Sequence, residues 1–527
     1  MGLAGPSPGE MRPVRNPATR HLPLCRRDAE IPVGECLVLH RLPRRNFPRR
    51  TWDRDRRADG SWIVGVAAGY RCRLPAAHQA SLADGQGKFL WSGRKFRTTT
   101  SDLQRLWSML PAGADSSSIT IIMEPTRNAW VPLAAWFRRQ GATVVLVPPE
   151  QSADLRDYYC KHTKSDRLDS KVLARIPLLH PEGMHTATGL GPGDTMRRAV
   201  KLRSNLVKRR TSILARLDAL LELLGPGWHA ALGADLANKT PLRFLAHYAD
   251  PHVVIRLGRA RLSRFLTRHS RGSWREEKAD QLIAAARETL DLWADGLDFP
   301  ELADDIAIEA RLALQLTDEI KELETRLAAL LDKADPGGIV CSAPGVGPIL
   351  AAQILGRLGD PNRFDSLAAI RSFSGLVPKL DSSGLSGRHG GPTKSGDACL
   401  REALFMAAEH ARRSDPSLAA KYHRLMTETG KHHNSAVCHL STTLLTRIAA
   451  CWRRSEHYVI RDVDGSPLTP EQGRQIVANR YTVPADIRAA RRTTSAGTGR
   501  RHKESRSAPP TGPSTTKATS FHRVDIR

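Results

Sequence analysis

Several features are missing from this sequence, and each absence excludes a class of protein. No apolar run approaches the roughly 20 residues that a helix needs to cross a bilayer. The Arg- and Pro-rich N-terminus lacks the apolar core of a secretory signal. The eight cysteines form no Cys-x-x-Cys pair and no Cys/His spacing typical of a zinc site. These absences predict a cytoplasmic protein with reduced thiols and no membrane partner.

Acidic residues are also scarce relative to basic ones. Lys and Arg number 80 against 54 Asp and Glu, which gives a formal net charge of +26 over 527 residues. Such an excess repels itself unless a polyanion binds, so nucleic acid is the expected partner. The length predicts three or four domains and a sizeable core.

The two ends of the chain carry much of the basic charge. Residues 1–60 contain thirteen arginines and no lysine, and the first lysine is Lys88. We expect residues 1–60 to be a basic, disordered extension, and hypothesise that they do not belong to the functional protein. Residues 461–527 are expected to form a basic, largely disordered tail.

Between these ends the pattern changes from α/β to α. In residues 61–190, apolar runs at 62–67, 119–123 and 143–147, together with a hairpin around Asp-Gly-Gln-Gly, predict a mixed sheet covered by helices. Residues 191–335 predict long helices with a leucine stripe typical of a short coiled coil, which could pair within one chain or between two. Residues 336–460 predict a mainly helical unit with one Gly-rich loop.

An acidic set lies where a sheet edge is predicted. Glu124 directly follows the apolar strand 119–123, and Asp166 and Asp169 are three residues apart, on one face of a helix. Carboxylates that converge in this way could hold Mg²⁺ for phosphodiester cleavage, and the neighbouring Lys164 and Arg167 could bind phosphate. Taken alone, the two aspartates would equally suit a solvated helix start.

A second set of candidates lies in the helical unit. The turn Gly345-Val346-Gly347 opens an apolar helix and could offer backbone N–H groups to a phosphate, although an ordinary helix entry has the same pattern. Further on, Asp381-Ser382-Ser383-Gly384 is predicted to be a loop, followed by the basic residues Lys394 and Arg401. A serine in such a loop is usually just a turn former.

Taken in order, these segments resemble the IS110 family of insertion-sequence transposases and the related Piv-like DNA invertases. The resemblance runs from about Ser61 to about Arg454 and rests on several ordered motifs. The motifs are Met123-Glu124-Pro125-Thr126, Lys164-Ser165-Asp166-Arg167-Leu168-Asp169, Pro344-Gly345-Val346-Gly347-Pro348, Arg363-Phe364, Gly375-Leu376-Val377-Pro378, Ser383-Gly384, Lys394-Ser395-Gly396-Asp397 and Leu400-Arg401.

The resemblance implies a fold, an activity and partners. The N-terminal half would be a RuvC-like DEDD domain of the ribonuclease H class that binds Mg²⁺, and the C-terminal half a transposase domain. Ser383 would attack the phosphodiester and form a phosphoserine link, with Ser382 as the alternative nucleophile. The partners would be double-stranded DNA at the element ends and target, and a structured non-coding RNA that pairs them. The active enzyme would be a homodimer or tetramer that joins one subunit's carboxylates with another's serine.

One position departs from the family pattern. The family has its first Asp in the opening strand, where this sequence has Val64-Gly65-Val66-Ala67, so that Ala67 occupies the Asp position. The sequence therefore predicts a DNA transposase of the serine-plus-DEDD type with two rivals. Ala67 favours a catalytically inactive nucleic-acid-binding remnant. A carboxylate-only Holliday-junction nuclease is disfavoured by the separate serine domain.

Overall fold

The computed structural model describes residues 61–67, 77–125, 128–160, 162–181, 184, 186, 189, 191–233, 235–294, 296–383 and 386–491, with backbone only for 380–383 and 386–389. All of these residues fall in one compact unit. The predicted extension 1–60 lies outside the described residues. No helix within the described ranges is both long and apolar enough to span a membrane.

A five-stranded mixed sheet forms the N-terminal part, as the apolar runs predict. Its strands are β1 (Trp62–Ala67), β2 (His78–Asp84), β3 (Phe89–Phe96), β4 (Ile119–Met123) and β5 (Thr143–Leu146). Their order across the sheet is β3-β2-β1-β4-β5. β2 is antiparallel to β1 and to β3, whereas β4 is parallel to both β1 and β5. The hairpin and the strand–helix–strand unit are both confirmed.

Helices cover both faces of this sheet. α1 (Thr100–Ser108) and α2 (Trp130–Arg139) pack on one face, where Val64 and Val66 of β1 contribute to the core. α4 (Asp166–Leu179) packs on the other face, against Ile63 and Ala67. Alternate residues of β1 thus point to opposite faces, and both faces are buried, which explains the unbroken apolar run of this strand. α3 (Pro149–Tyr159) precedes α4 and packs against it.

Two long helices connect the sheet to the rest of the chain. α5 (Thr195–Leu224) and α10 (Phe299–Ala334) pack on each other along their length. Arg203 of α5 bonds Glu324, and Arg216 bonds Glu309 at the other end, so the helices are antiparallel. The leucine stripe of α10 is therefore used within the chain, and a pairing between chains stays a prediction.

The chain between these long helices forms a helical module with its own core. Its helices are α6 (Pro226–Leu232), α7 (Lys239–Leu245), α8 (Pro251–His269) and α9 (Glu276–Trp293). Trp228 is fully buried there and donates to Thr289 Oγ1 over 2.8 Å. α8 and α9 pack side by side, and α7 rests on α10.

The C-terminal unit is mainly helical, as expected. Its helices are α11 (Pro348–Leu358), α12 (Leu367–Ser374), α13 (Ala398–Ala411), α14 (Pro416–Thr427), α15 (His433–Arg454) and α16 (Pro470–Arg480). The prediction of a loop around Ser383 is wrong, because this segment forms a hairpin of β6 (Pro378–Ser383) and β7 (Ser386–Pro392). Neither strand has the apolar alternation that would have indicated it.

The tail prediction is also wrong in its first part. Val483 is buried in the same core as α13 to α15, and Gly473 of α16 approaches Ser414 so closely that a Cβ there would lie 2.2 Å from its carbonyl oxygen. Residues 461–491 thus belong to the folded C-terminal unit. Residues 492–527 lie outside the described ranges.

Candidate active site at the carboxyl edge of the sheet

The sheet and one helix bring the predicted acidic residues to one edge. β1 and β4 are parallel with Val66 opposite Met123, so continuing the register by one residue places Glu124 opposite Ala67. Neighbouring strands lie about 4.8 Å apart. Because side chains alternate between the two faces along a strand, Ala67 and Glu124 both lie on the face covered by α4. Ala67 is 5% exposed and packs among the residues beneath α4. The position where the family carries its first Asp is therefore beside Glu124 and apolar.

α4 runs antiparallel to β1, which directs its first turn to the same edge. A Cβ on Gly65 would lie 2.0 Å from the Ser170 carbonyl oxygen, so the helix crosses β1 in backbone contact. Further along α4, Leu178 meets Gly87, in the turn beside the start of β1. Ser81 and Ser170 add a buried hydroxyl pair at 2.8 Å. The helix start, with its two aspartates, is thereby directed to the edge of the sheet where Glu124 follows β4.

The first turn of α4 presents both aspartates. Ser165 caps the helix by accepting from the backbone N–H of Leu168 over 3.2 Å. Burial raises the pKa of Asp169, more than the neighbouring Arg156 and Lys164 lower it, and the Asp166 charge raises it further. A partly buried carboxyl with a raised pKa and a like charge beside it is a candidate for a functional site.

Two residues of α3 hold the carboxylates, and sequence reasoning missed both. Ser152 is buried, and its hydroxyl donates to Glu124 Oε2 over 2.8 Å and to the Pro149 carbonyl over 3.0 Å. Arg156, one helical turn later, places Nη1 3.5 Å from Asp169 Oδ1 and also pairs with Asp157. The i, i+4 spacing of a hydroxyl and a guanidinium was the available signal, but the polar α3 has little apolar pattern to mark it as a helix.

Whether this edge fits a divalent cation depends on the donor set. Glu124, Asp166 and Asp169 supply hard oxygen ligands of the kind that Mg²⁺ prefers. Within the described ranges, however, no three His, Cys, Asp or Glu side chains are already gathered as a metal cluster. Arg156 neutralises part of the charge at Asp169, and Ala67 contributes no oxygen. The three carboxylates have the chemistry that a divalent cation requires, but the described residues do not gather them into one site.

The two cations that flank Asp166 point to different places. Lys164 is exposed, and its charge acts on the pKa of Asp169. Arg167 instead lies over β3, where Nη2 is 3.3 Å from Ser92 Oγ and its aliphatic part covers Gly93. Of these two cations, Lys164 is therefore the one whose charge acts on a predicted site carboxylate.

The serine candidate lies in the hairpin of the C-terminal unit. Ser383 is the last residue of β6 and pairs with Ser386, the first residue of β7, while Ser382 pairs with Gly387. Ser383 is thus next to the tip. Extensive packing between this hairpin and the sheet edge is absent from the described part of the chain.

The base of the hairpin is held by close backbone contacts. A Cβ on Gly396 would lie 2.2 Å from the Phe373 carbonyl oxygen and 2.3 Å from the Gly375 nitrogen. Arg401 Nη1 donates to the carbonyls of Ser374 and Gly396, at 3.2 and 2.7 Å. Lys394 is exposed with a positive φ of 57°, and its N–H donates to the Gly375 carbonyl. Arg401 thus serves the hairpin base, while the Lys394 side chain faces solvent.

The Gly-x-Gly turn has a structural explanation of its own. Gly345 has a φ of 74°, and a Cβ there would lie 2.4 Å from the Ala407 carbonyl oxygen of α13. Gly347 is exposed at the start of α11, and no side chain caps that helix start. Packing against α13 therefore accounts for Gly345, whereas Gly347 leaves a helix N-terminus that faces solvent.

Comparisons with known proteins agree with this two-part layout. Residues 76–226 match a model described as a transposase of the DEDD type, and residues 338–423 match the transposase IS116/IS110/IS902 family. The chain is 26% identical to the insertion element IS110 uncharacterized 43.6 kDa protein of Streptomyces coelicolor, over 77% of this chain and 98% of that protein. It is 25% identical to the insertion element IS116 uncharacterized 44.8 kDa protein of Streptomyces clavuligerus, over 73% and 92% of the two chains.

Proposed function

Because this chain belongs to the IS110 family of insertion-element transposases, we propose that it cuts and rejoins DNA with a divalent-cation site at the sheet edge and a serine nucleophile on the hairpin. The observation that carries the proposal is the convergence of Glu124 with the first turn of α4 at one edge of the sheet. The strand order β3-β2-β1-β4-β5 supports a RuvC-like fold of the ribonuclease H class for this half.

Glu124, Asp166 and Asp169 would hold Mg²⁺. When bound, the ion would activate the attacking oxygen and stabilise the leaving one. Ser152 restrains the orientation of the Glu124 carboxylate by donating to Oε2 over 2.8 Å. The weak contact of Arg156 with Asp169, at 3.5 Å, neutralises the acidic edge until DNA and cation arrive.

Ser383 would be the nucleophile. Its hydroxyl oxygen forms a bond to phosphorus, the bond from phosphorus to a sugar oxygen breaks, and the phosphoserine link conserves the phosphodiester energy for rejoining. Attack by a sugar hydroxyl of another strand then releases the serine. Lys394, exposed beside the hairpin base, and Lys164, beside the carboxylates, are placed to neutralise backbone phosphates.

The separation of the two sites supports assembly from several subunits. Among the described residues the hairpin does not pack extensively on the sheet edge, which is consistent with a hairpin that meets the carboxylates of a second copy. We propose a homodimer or tetramer with such shared active sites, guided to element ends and target by a structured non-coding RNA. The excess of 26 positive charges is consistent with binding RNA and DNA together.

One observation favours an inactive nucleic-acid-binding remnant as the second candidate. Ala67, buried beside Glu124, provides no oxygen where the family has an aspartate. A carboxylate-only junction nuclease is the third candidate, and it has no use for the serine hairpin.

The test is DNA strand cleavage with Mg²⁺, end-containing DNA and the element's own non-coding RNA, comparing this chain with Ala67→Asp. A protein-linked DNA band reports the phosphoserine. We expect Ala67→Asp to raise the yield of this band, and Ser383→Ala to abolish it in both backgrounds. Ser382→Ala tests the alternative nucleophile on the same strand: we expect it to keep the protein-linked band, and loss of the band in this variant instead would assign the nucleophile to Ser382. Cleavage that forms no protein-linked band and survives both serine substitutions would indicate the junction nuclease, and binding without cleavage in every variant would indicate the remnant.

A further inference from the structure

The module between the two family-matched segments carries an unusual run of charge. From Asp250 to Glu276 the sequence holds seven arginines and no intervening Asp or Glu. On α10, by contrast, basic and acidic residues are interleaved, and Glu309 and Asp318 pair with Arg216 and Lys239 of neighbouring helices, as on an ordinary solvated face. A one-sign run in a folded helix is costly unless an anion faces it.

Three of these arginines form one stripe. Arg261, Arg264 and Arg268 follow the spacing i, i+3, i+7 on α8, and all three are exposed. Leu262 and Leu266 are fully buried on the opposite side. The spacing keeps the three guanidinium groups on one side of the helix over a rise of about 10 Å.

The stripe lacks the carboxylate partners that the exposed Arg216, Arg259 and Arg474 have. Arg259, on another side of the same helix, pairs with Glu276 and Asp280 of α9. No ion pair or hydrogen bond involves the three stripe arginines in the described part of the chain. Beside them, His269 has its pKa lowered by burial and further by Arg243 and Arg268, which indicates a positive local field.

We propose that the Arg261–Arg264–Arg268 stripe binds the phosphate backbone of duplex DNA outside the active site. An insertion-element transposase must hold double-stranded DNA beyond the phosphodiester that reacts. An exposed helix with a row of unpaired guanidinium groups follows a strand of phosphates without reading bases. The stripe would therefore increase the affinity for DNA and fix the position of the protein on the duplex, without favouring any base sequence.

The experiment compares two triple variants of the full-length chain. The stripe variant carries Arg261→Gln, Arg264→Gln and Arg268→Gln. The matched control carries Arg216→Gln, Arg259→Gln and Arg474→Gln, which removes the same charge from arginines that are 54%, 57% and 55% exposed and already paired. Fluorescence anisotropy measures binding of a short duplex DNA, and of duplex and single-stranded RNA, across a salt series.

We expect the stripe variant to lose about tenfold or more in duplex DNA affinity, and its log–log salt slope to fall by roughly two to three, since each phosphate contact contributes about 0.9. The control should change little. Equal losses in both triples would overturn the proposal, because net charge alone would explain them. A loss confined to RNA would overturn the assignment to DNA. Single variants, each expected to lower the slope by about one, decide the matter if the triple unfolds.

Discussion

Glu124 and Asp169 are placed by a five-stranded sheet and two helices, whereas Ser383 lies near the tip of a two-stranded hairpin. A two-stranded hairpin alone is at best marginally stable, so its position depends on its base. There Gly375, Gly396 and Arg401 interlock, while the strands themselves pair mainly with each other.

This difference in how the fold supports the carboxylates and the serine suggests that the two regions have different roles. The carboxylate edge is built into the core of its own subunit, so each chain carries it whether or not DNA is present. The described part of the serine hairpin is held mainly at its base, and its two strands pair mainly with each other. Both regions use glycine for the same physical reason, because backbone meets backbone at Gly65 and at Gly396 with no room for a Cβ.

Among the variants that test this comparison between the two regions, Gly65→Ala is expected to have the largest effect. The new Cβ would meet the Ser170 carbonyl oxygen and the Ala174 nitrogen, at 2.0 and 2.5 Å, and both are backbone atoms that cannot turn aside. We expect α4 to be displaced at a cost of more than about 3 kcal/mol, with loss of cleavage. Chemical denaturation measures the stability. Gly391→Ala, where a Cβ meets nothing within 4 Å, is the control and should be nearly neutral.

A normal melting curve for Gly65→Ala would show that α4 can shift without cost. The carboxylate edge would then be no more firmly built than the hairpin, and the contrast between the two regions would disappear.

Much of the sheet could be predicted because its sequence patterns are local. The apolar runs of β1 and β4 and the turn at Asp84 to Gly87 identify strands and a hairpin without any tertiary information. The position of Glu124 then follows from the rule that parallel strands end at one edge of the sheet. The helix start at Asp166 was predicted from its own spacing and is capped by Ser165.

What the sequence did not predict depends on contacts between distant segments. Ser152 and Arg156 are 28 and 13 residues from the carboxylates they contact, on a helix without a strong apolar stripe. β6 and β7 pair through their backbones, with polar and glycine residues where a strand pattern would need apolar ones. Gly345 gave a phosphate-turn signal, whereas its contact with α13 requires a glycine for packing reasons.

A second prediction compares how two carboxylates affect stability as pH changes: Asp169 at the sheet edge and Asp397 at the hairpin base. Burial opposes ionisation of Asp397, but hydrogen bonds from Arg357 and its cap to Leu400 hold the pKa of Asp397 below its usual range. Its ion pair thus stabilises the fold above the pKa of the unfolded carboxyl, and this stability is lost as pH falls through the folded pKa.

For Asp169 the pKa is raised, mainly by burial, so its ionised form costs stability at neutral pH, and the cost disappears as pH falls.

We therefore expect Asp397→Asn to lower the stability at pH 7 by about 3 kcal/mol, because it leaves Arg357 buried without its partner. Asp169→Asn should leave the melting temperature unchanged or raise it. Thermal melts at pH 7 and at about pH 3 measure both. The deficit of Asp397→Asn should shrink only when the pH falls below about 4, and equal destabilisation by both variants would contradict the distinction between a structural and a functional carboxylate.

The smallest effect concerns the hydroxyl that orients Glu124. Ser152→Ala removes a buried donor and is expected to cost about 1 kcal/mol of stability, and to raise the Mg²⁺ concentration needed for half-maximal cleavage in the Ala67→Asp background. Ser108→Ala is the matched control, because Ser108 also donates to a carbonyl three residues earlier, over 2.9 Å, but is exposed and far from any carboxylate edge. If Ser152 served only its own helix turn, both variants would leave the Mg²⁺ midpoint unchanged. A shift of the Mg²⁺ midpoint in Ser152→Ala alone would mean that α3 helps to set the geometry of the carboxylates, although none of the family motifs at this edge lies on α3.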